Sequence, residues 1–340
     1  MEQHQLSKGL LLDEKGNLNE AGYATSLIKK YQRNMVKVRG MRIKEWDYYY
    51  VGNDHVGVAL TVADNSYMWL TAVTLFDFDQ AKEISWTKMG WFPNGSLHMP
   101  ETSAEGNVIF KKKNQSFEFI LENGIRHLKA HIIKFNDDKD LIVDLVLEPT
   151  TKHSMVIATP FEKPKHFYYN QKINLLKATG KVQFGNQELD FEDAYGVLDW
   201  GRGVWTYKNT WYWSSMSGTY QNHKIGFNLG YGFGDTSKAS ENMLFYDNEV
   251  YKFDDVVFDI PQKDGKDDYM SPWKLTSKDG RIDLVFNPIL DRHSHSNVVI
   301  ISSKQHQVFG TFSGSFTTDQ NKKIEFKKMM GFAEKVMNRW

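Results

Sequence analysis

Ile225-Gly-Phe-Asn-Leu-Gly-Tyr-Gly-Phe-Gly234 alternates a large apolar residue with glycine or asparagine over its whole length. Side chains two apart share a face of a strand, so this period of two makes the stretch a β-strand with Ile225, Phe227, Leu229, Tyr231 and Phe233 on one side. The opposite side carries only Gly226, Asn228, Gly230, Gly232 and Gly234. A face so bare leaves room for a close neighbour: a ligand, a second backbone or a plug of aromatic rings. The run has no lysine after its glycines and lies in a strand, which excludes a phosphate loop.

Working outward, the same period recurs. Val56–Val62, Tyr67–Phe76, Ile125–Phe135 and Leu141–Glu148 are predicted strands, the last ended by Pro149. Gly185-Asn186 and Asp247-Asn248-Glu249 sit between paired apolar runs and predict hairpins. Only Asn19 to Arg33 and Met330 to Trp340 are expected to be helical. Many short strands with few short helices give an all-β protein built as a sandwich or barrel. Thr150 to Lys165, interrupted by Pro160 and Pro164, is the expected boundary, giving domains 1–160 and 161–340. The halves share a spacing: Gly57 precedes Phe76 by nineteen residues, and Gly226 precedes Phe245 by nineteen. Each glycine strand also follows a ring cluster, Trp46 to Tyr50 or Trp211 to Trp213.

Composition narrows the function. The 340 residues carry 42 Lys and Arg against 42 Asp and Glu, a balance that does not suit gripping nucleic acid or an anionic membrane. With no cysteine, disulfides, thiolate nucleophiles and cysteine-held metals are excluded. No stretch is apolar enough to span a membrane as a helix, and the N-terminus lacks a signal-like apolar run, so a cytoplasmic setting is expected. Gly-x-Ser-x-Gly is absent. His127 with His131, and His293 with His295, do not have the spacing and third ligand of a metal site, and no metal or cofactor is expected. The 48 aromatic residues, counted as 22 Phe, 16 Tyr and 10 Trp, exceed what a core alone requires.

The candidate site lies between Asp193 and Asn242. Trp200, Trp205, Trp211 and Trp213 surround Asp199 and Arg202, and a charge among rings must be paired or face a wet cavity. Trp211 and Trp213 share a strand face and could floor an apolar or sugar-ring pocket; the plainer alternative is core. Asp199 is the expected proton donor, Arg202 its orienting partner, and Glu241 a second carboxyl for acid/base work. Tyr195, Asn228 and Asn242 are expected to bind substrate, and His98, in the loop Asn94-Gly-Ser-Leu-His-Met-Pro-Glu101, is a weaker addition.

Leu198-Asp-Trp-Gly-Arg-Gly203, Trp211-Tyr-Trp213, Ile225-Gly-Phe-Asn-Leu229, Glu241-Asn242, Phe309-Gly-Thr-Phe-Ser-Gly314 and Gly331-Phe-Ala-Glu334 resemble the bacterial domain-of-unknown-function family 2804, from Lys44-Glu-Trp-Asp-Tyr48 to Trp340. That family is similar in turn to a lipocalin-like superfamily of carotenoid hydratase, tocopherol cyclase and fungal Diels–Alderases. The resemblance implies two tandem lipocalin-like (calycin-type) antiparallel barrels with a pocket near their junction. Carotenoid hydratases carry Gly-Tyr-His-Asp-His-Asn-Trp-Gly ahead of a Trp-x-Trp strand. Here Ala194-Tyr-Gly-Val-Leu-Asp-Trp-Gly201 keeps Tyr195, Trp200 and Gly201. It loses both histidines to Gly196 and Leu198 and the aspartate to Val197, leaving Asp199 as the element's acid. Two functions fit: a cofactor-independent acid/base enzyme (hydratase, lyase, cyclase or hydrolase type) acting on an apolar or glycosidic small molecule, and a non-catalytic carrier of a lipophilic one. No motif names the ligand, the reaction or the oligomeric state.

Overall fold

A computed structural model describes residues 3–298 and 301–339. Two antiparallel sheets curl into half-barrels with the same plan, a two-barrel lipocalin-like fold. In the first, Lys44–Gly52, Val56–Asp64, Met68–Asp77 and Lys82–Trp91 form a meander. A second meander, Val108–Lys112 through Gln115–Glu122, Ile125–Asn136, Lys139–Pro149 and Phe167–Phe184, ends at Tyr195–Val204, which pairs with Lys44–Gly52. The second sheet repeats this. Lys208–Tyr220, His223–Tyr231, Met243–Tyr246 and Glu249–Lys252 lead, and Lys323–Arg339 returns to pair with Lys208–Tyr220.

The matched spacing in the sequence is a matched register. Gly57 lies opposite Phe76 in the first sheet and Gly226 opposite Phe245 in the second. Phe76 packs in an inter-barrel cluster with Phe309 and Phe332 of the second sheet, and Phe245 in another with Leu175 and Tyr195 of the first. Each barrel interior is filled by its own side chains, Leu198, Trp200 and Phe117 in one and Phe227, Trp273 and Phe312 in the other. Both expected hairpins form, with Val182 opposite Leu189 and Tyr246 opposite Glu249.

Three expectations change. The run 330–339 is strand, not helix, because Ala333 and Glu334 are bonded on both sides, to Ser214 and Trp213 and to Val308 and Gln307; sheet pairing outweighs the helix propensity of Ala, Glu, Lys and Met. Trp340, the end of that expected helix, lies outside the described residues. Between Asn19 and Arg33, Gly22–Ala24 adds to the Met155–Pro160 edge and Lys29–Lys30 pairs with Gly9–Leu10, leaving a single 3₁₀ turn at Arg33–Met35. The division expected after residue 160 falls inside the first sheet, and the sheets change between Val204 and Lys208.

Candidate functional site

The chemistry collects where strands Phe167–Phe184 and Tyr195–Val204 of the first barrel meet Lys208–Tyr220, His223–Tyr231 and Lys323–Arg339 of the second. Asp199 points into this seam, 8% exposed. Its Oδ1 pairs with the Lys172 ammonium at 2.9 Å and accepts the Asn170 amide at 2.6 Å. Lys172, directly opposite Asp199 in the ladder, also lies 3.7 Å from the centroid of the Trp213 ring. Trp213 donates its indole N–H to Asn228 at 2.7 Å, and the Asn228 amide donates to the Glu241 carbonyl at 2.7 Å. From the last strand, the Glu334 carboxyl accepts the Trp211 indole N–H at 3.1 Å and the Gln305 amide at 3.2 Å.

Three carboxyls, Asp199, Glu241 and Glu334, thus lie near the Lys172 ammonium, and Glu241 also feels that of Lys252. With all of them ionised the negative charges would outnumber the cations beside them away from water, which is expensive. Burial pushes Glu241 above the usual carboxylate range, against the attraction of Lys172, and the negative charge of Asp199 adds to the rise. Burial likewise lifts Glu334 to about 7, although the Trp211 N–H, Lys172 and Gln305 oppose it. A carboxyl poised near neutrality beside a fixed ion pair is the arrangement of a general acid.

The bare face of the Ile225 strand is explained here. A Cβ on Gly230 would lie 2.7 Å from the Glu241 carboxyl carbon, and one on Gly226 2.9 Å from Leu175 of the first barrel. The glycines make room for Glu241 and for the neighbouring barrel. Beside the cluster, along the same faces, a cleft of about 830 Å³ opens between the barrels, walled by Tyr50, Tyr195, Val197, Ser215, Met216 and Phe332. Val197 lies two residues before Asp199 on one strand and Phe332 two before Glu334 on another, so the cleft runs toward the cluster without being lined by it.

Asp199, Glu241, Trp211, Trp213 and Asn228 therefore come together as expected from the sequence. Asn242 supports them from behind, its Oδ1 accepting the Gly230 N–H at 2.8 Å. Tyr195 sits at the cleft rim, its hydroxyl 2.8 Å from that of Thr219. Arg202 does not pair with Asp199. Three residues apart on a strand, the two point to opposite faces, and Arg202 is wholly buried in the first barrel, bonded to Asp47 at 3.0 Å and lying over Trp200 at 4.3 Å. Trp200 is core of that barrel, edge-on to Tyr169. Trp205 packs on Trp46 and Phe233 at the edge of the seam. His98 is exposed on its loop, its backbone N–H on the Gly95 carbonyl, and takes no part in this network. His293 stacks on His306 at 4.4 Å.

Lys172, Asn170 and Glu334 were not singled out from the sequence. The signal for Lys172 is a lone charge within Phe167–Leu176, and for Glu334 an acid following the apolar run Met329–Ala333.

A family model described as a domain of unknown function, DUF2804, matches residues 2–340. The chain belongs to the DUF2804 family. No curated protein matches this sequence. Among solved structures, this DUF2804 chain resembles a putative AttH from Nitrosomonas europaea at 10% identity, with 90% of this chain and 95% of that one covered and a TM-score of 0.53. That likeness is one of fold. Kievitone hydratase from Nectria haematococca aligns at 11% identity over 93% and 97% of the two chains with a TM-score of 0.47. CghA with Sch210972 aligns at 7% over 97% of each with a TM-score of 0.44. No helix among the described residues of the DUF2804 chain is long and apolar enough to cross a membrane.

Proposed function

We propose that the protein is a cofactor-independent acid/base enzyme acting on an apolar or glycosidic small molecule held between its barrels. The observation that carries this reading is the set of three buried carboxyls around Lys172, with Glu334 held near 7 by burial. Glu334 is the proton donor. It gives its proton to a double bond or to a leaving-group oxygen, and the carboxylate left behind is received by the Trp211 N–H, the Gln305 amide and the charge of Lys172. Asp199, locked to Lys172 and Asn170, is the fixed anion opposite a developing positive charge and the acceptor for a proton returned from water. Asn170 Oδ1 is buried and has no hydrogen-bond partner among the described atoms, which suits a substrate hydroxyl. Lys172 covers one face of Trp213, and Phe332 and Tyr48 pack edge-on against its ring, so Trp213 holds the ammonium in place.

The carrier reading is favoured by the cleft alone, whose volume of about 830 Å³ suits a small lipophilic ligand. One experiment separates the two. A panel of aryl glycosides, enones and enol ethers is incubated with wild type and with Glu334→Gln, and products are followed by mass spectrometry alongside ligand-induced tryptophan quenching. The enzyme reading predicts turnover by wild type only, with quenching in both. Equal turnover in Glu334→Gln removes Glu334 as donor, and quenching without turnover of any panel member favours the carrier.

A further inference from the structure

The charge cluster is nearly closed to solvent, and the Trp211 ring that bonds Glu334 packs against a loop residue, Phe233. Phe233 follows the last residue of strand His223–Tyr231 by two and is 8% exposed. Four rings from both barrels surround it: Tyr168 at 4.7 Å, Trp211 at 5.1 Å, Phe161 at 5.2 Å and Trp205 at 5.3 Å between centroids. All four meet it edge to face, with interplanar angles from 65° to 89°, the geometry aromatic quadrupoles prefer. Behind them Trp46 stacks on Tyr168 at 10°. The box adjoins the chemistry, because Trp211 donates its N–H to Glu334. Tyr168 also lies close enough to feel the charges of Asp199, Glu241 and Glu334.

Phe233 stands between Gly232, exposed with φ +93°, and Gly234, half-buried with φ +75°, a backbone region other residues enter at a cost. The loop beyond is pinned separately. The Asp235 N–H is on the Pro160 carbonyl, the His4 N–H on that of Lys238, and the Ser240 N–H on Gln3 Oε1. Rotation at the two glycines would therefore withdraw the ring without lifting Glu241, and it would uncover Trp211, whose N–H is on Glu334.

We propose that Phe233 is a gate occupying a ring subsite, and that the box receives a planar, single-ring aromatic group of the substrate when Phe233 swings out. The chemistry at that subsite rests on the acid/base reading; the box and its hinge do not. The substrate ring takes the four edge contacts Phe233 gives up, which sets selection for aromatic over saturated rings.

The test uses the full chain with 4-methylphenol as probe and cyclohexanol as saturated control. Closure of the gate taxes binding by the fraction of time the box is free, so Phe233→Ala binds the probe at least about tenfold more tightly than wild type. Phe233→Leu, which keeps most of the volume, shows a smaller gain and serves if the alanine variant does not fold. In wild type, saturating probe speeds amide hydrogen exchange at residues 232–234 while that at 243–246 is unchanged. Neither variant binding more tightly, cyclohexanol binding as well as the phenol, or no acceleration at 232–234 each overturns the gate. The protonation of Glu334 is measured separately, on wild type without probe, so failure here leaves the acid/base reading standing.

Discussion

Replacing Glu334 by Gln removes an ionisation that burial makes costly. In the unfolded chain this carboxyl titrates at its ordinary 4.5, and in the folded chain at about 7. The folded state therefore holds the proton more tightly, and the stability this contributes is full below pH 4.5 and is lost as pH rises through 7. The gap is 7 − 4.5 = 2.5 pH units, equivalent to about 3 kcal/mol at roughly 1.4 kcal/mol per unit. Glutamine has no such term. Its amide can still accept from Trp211, but its NH₂ faces the Gln305 amide, a loss of about 1 kcal/mol that does not vary with pH. The difference in unfolding free energy, variant minus wild type, is thus expected to rise by about 3 kcal/mol between acid and mildly alkaline pH. Urea titrations followed by tryptophan emission at four pH values measure it. A difference that stays flat across that range would show that Glu334 ionises normally in the folded protein, and the reasoning would fail.

Four other variants probe the seam and the interior of the first barrel. Lys172→Met leaves Asp199, Glu241 and Glu334 without their shared ammonium and is expected to cost about 3–5 kcal/mol at alkaline pH; thermal melts should show the loss shrinking as acid protonates the carboxyls. Asp47→Asn takes from the buried Arg202 guanidinium its bonded carboxylate, leaving backbone carbonyls and the charge of Glu45, whereas in Asp199→Asn the neighbouring Glu241 or Glu334 can ionise to meet Lys172. Chemical denaturation should therefore find Asp47→Asn the more damaging by about 1–2 kcal/mol. Gly230→Ala sets a methyl 2.7 Å from the Glu241 carboxyl carbon and 2.9 Å from the Tyr212 carbonyl, and is expected to cost about 1–3 kcal/mol by overpacking, read as a lowered melting temperature.

What could be seen in the sequence followed the period of two. Alternation in Ile225–Tyr231, the two hairpins and the Gly57/Gly226 spacing are local patterns, and each corresponds to an observed strand, turn or register; residues 232–234, expected to continue the strand, form a loop. Trp211, Trp213, Asn228, Glu241 and Asp199 met because their strands face the same seam. The Asp199–Arg202 pairing failed on a rule already available: an odd separation along a strand puts two side chains on opposite faces. Lys172 and Glu334 escaped for a different reason. Lys172 pairs with Asp199 across the ladder, and Glu334 with Trp211 and Gln305 of the neighbouring strands, all distant in the sequence, so nothing within a short window marks either. Reading 330–340 as helix also turned Glu334 away from the face it shares with Phe332. The bare glycine face pointed to a close neighbour, and that neighbour is the protein's own carboxyl and Leu175.

The most direct test of the central claim is whether a neutral carboxylic acid persists between the barrels near neutral pH. Carboxyl-labelled protein examined by infrared difference spectroscopy, wild type against Glu334→Gln, reports it. The protonated C=O band of Glu334 should be present at about pH 6 and give way to carboxylate as pH passes about 7. A carboxylate signal already complete at about pH 6 would contradict the claim, since a carboxyl with an unperturbed pKa is fully ionised there.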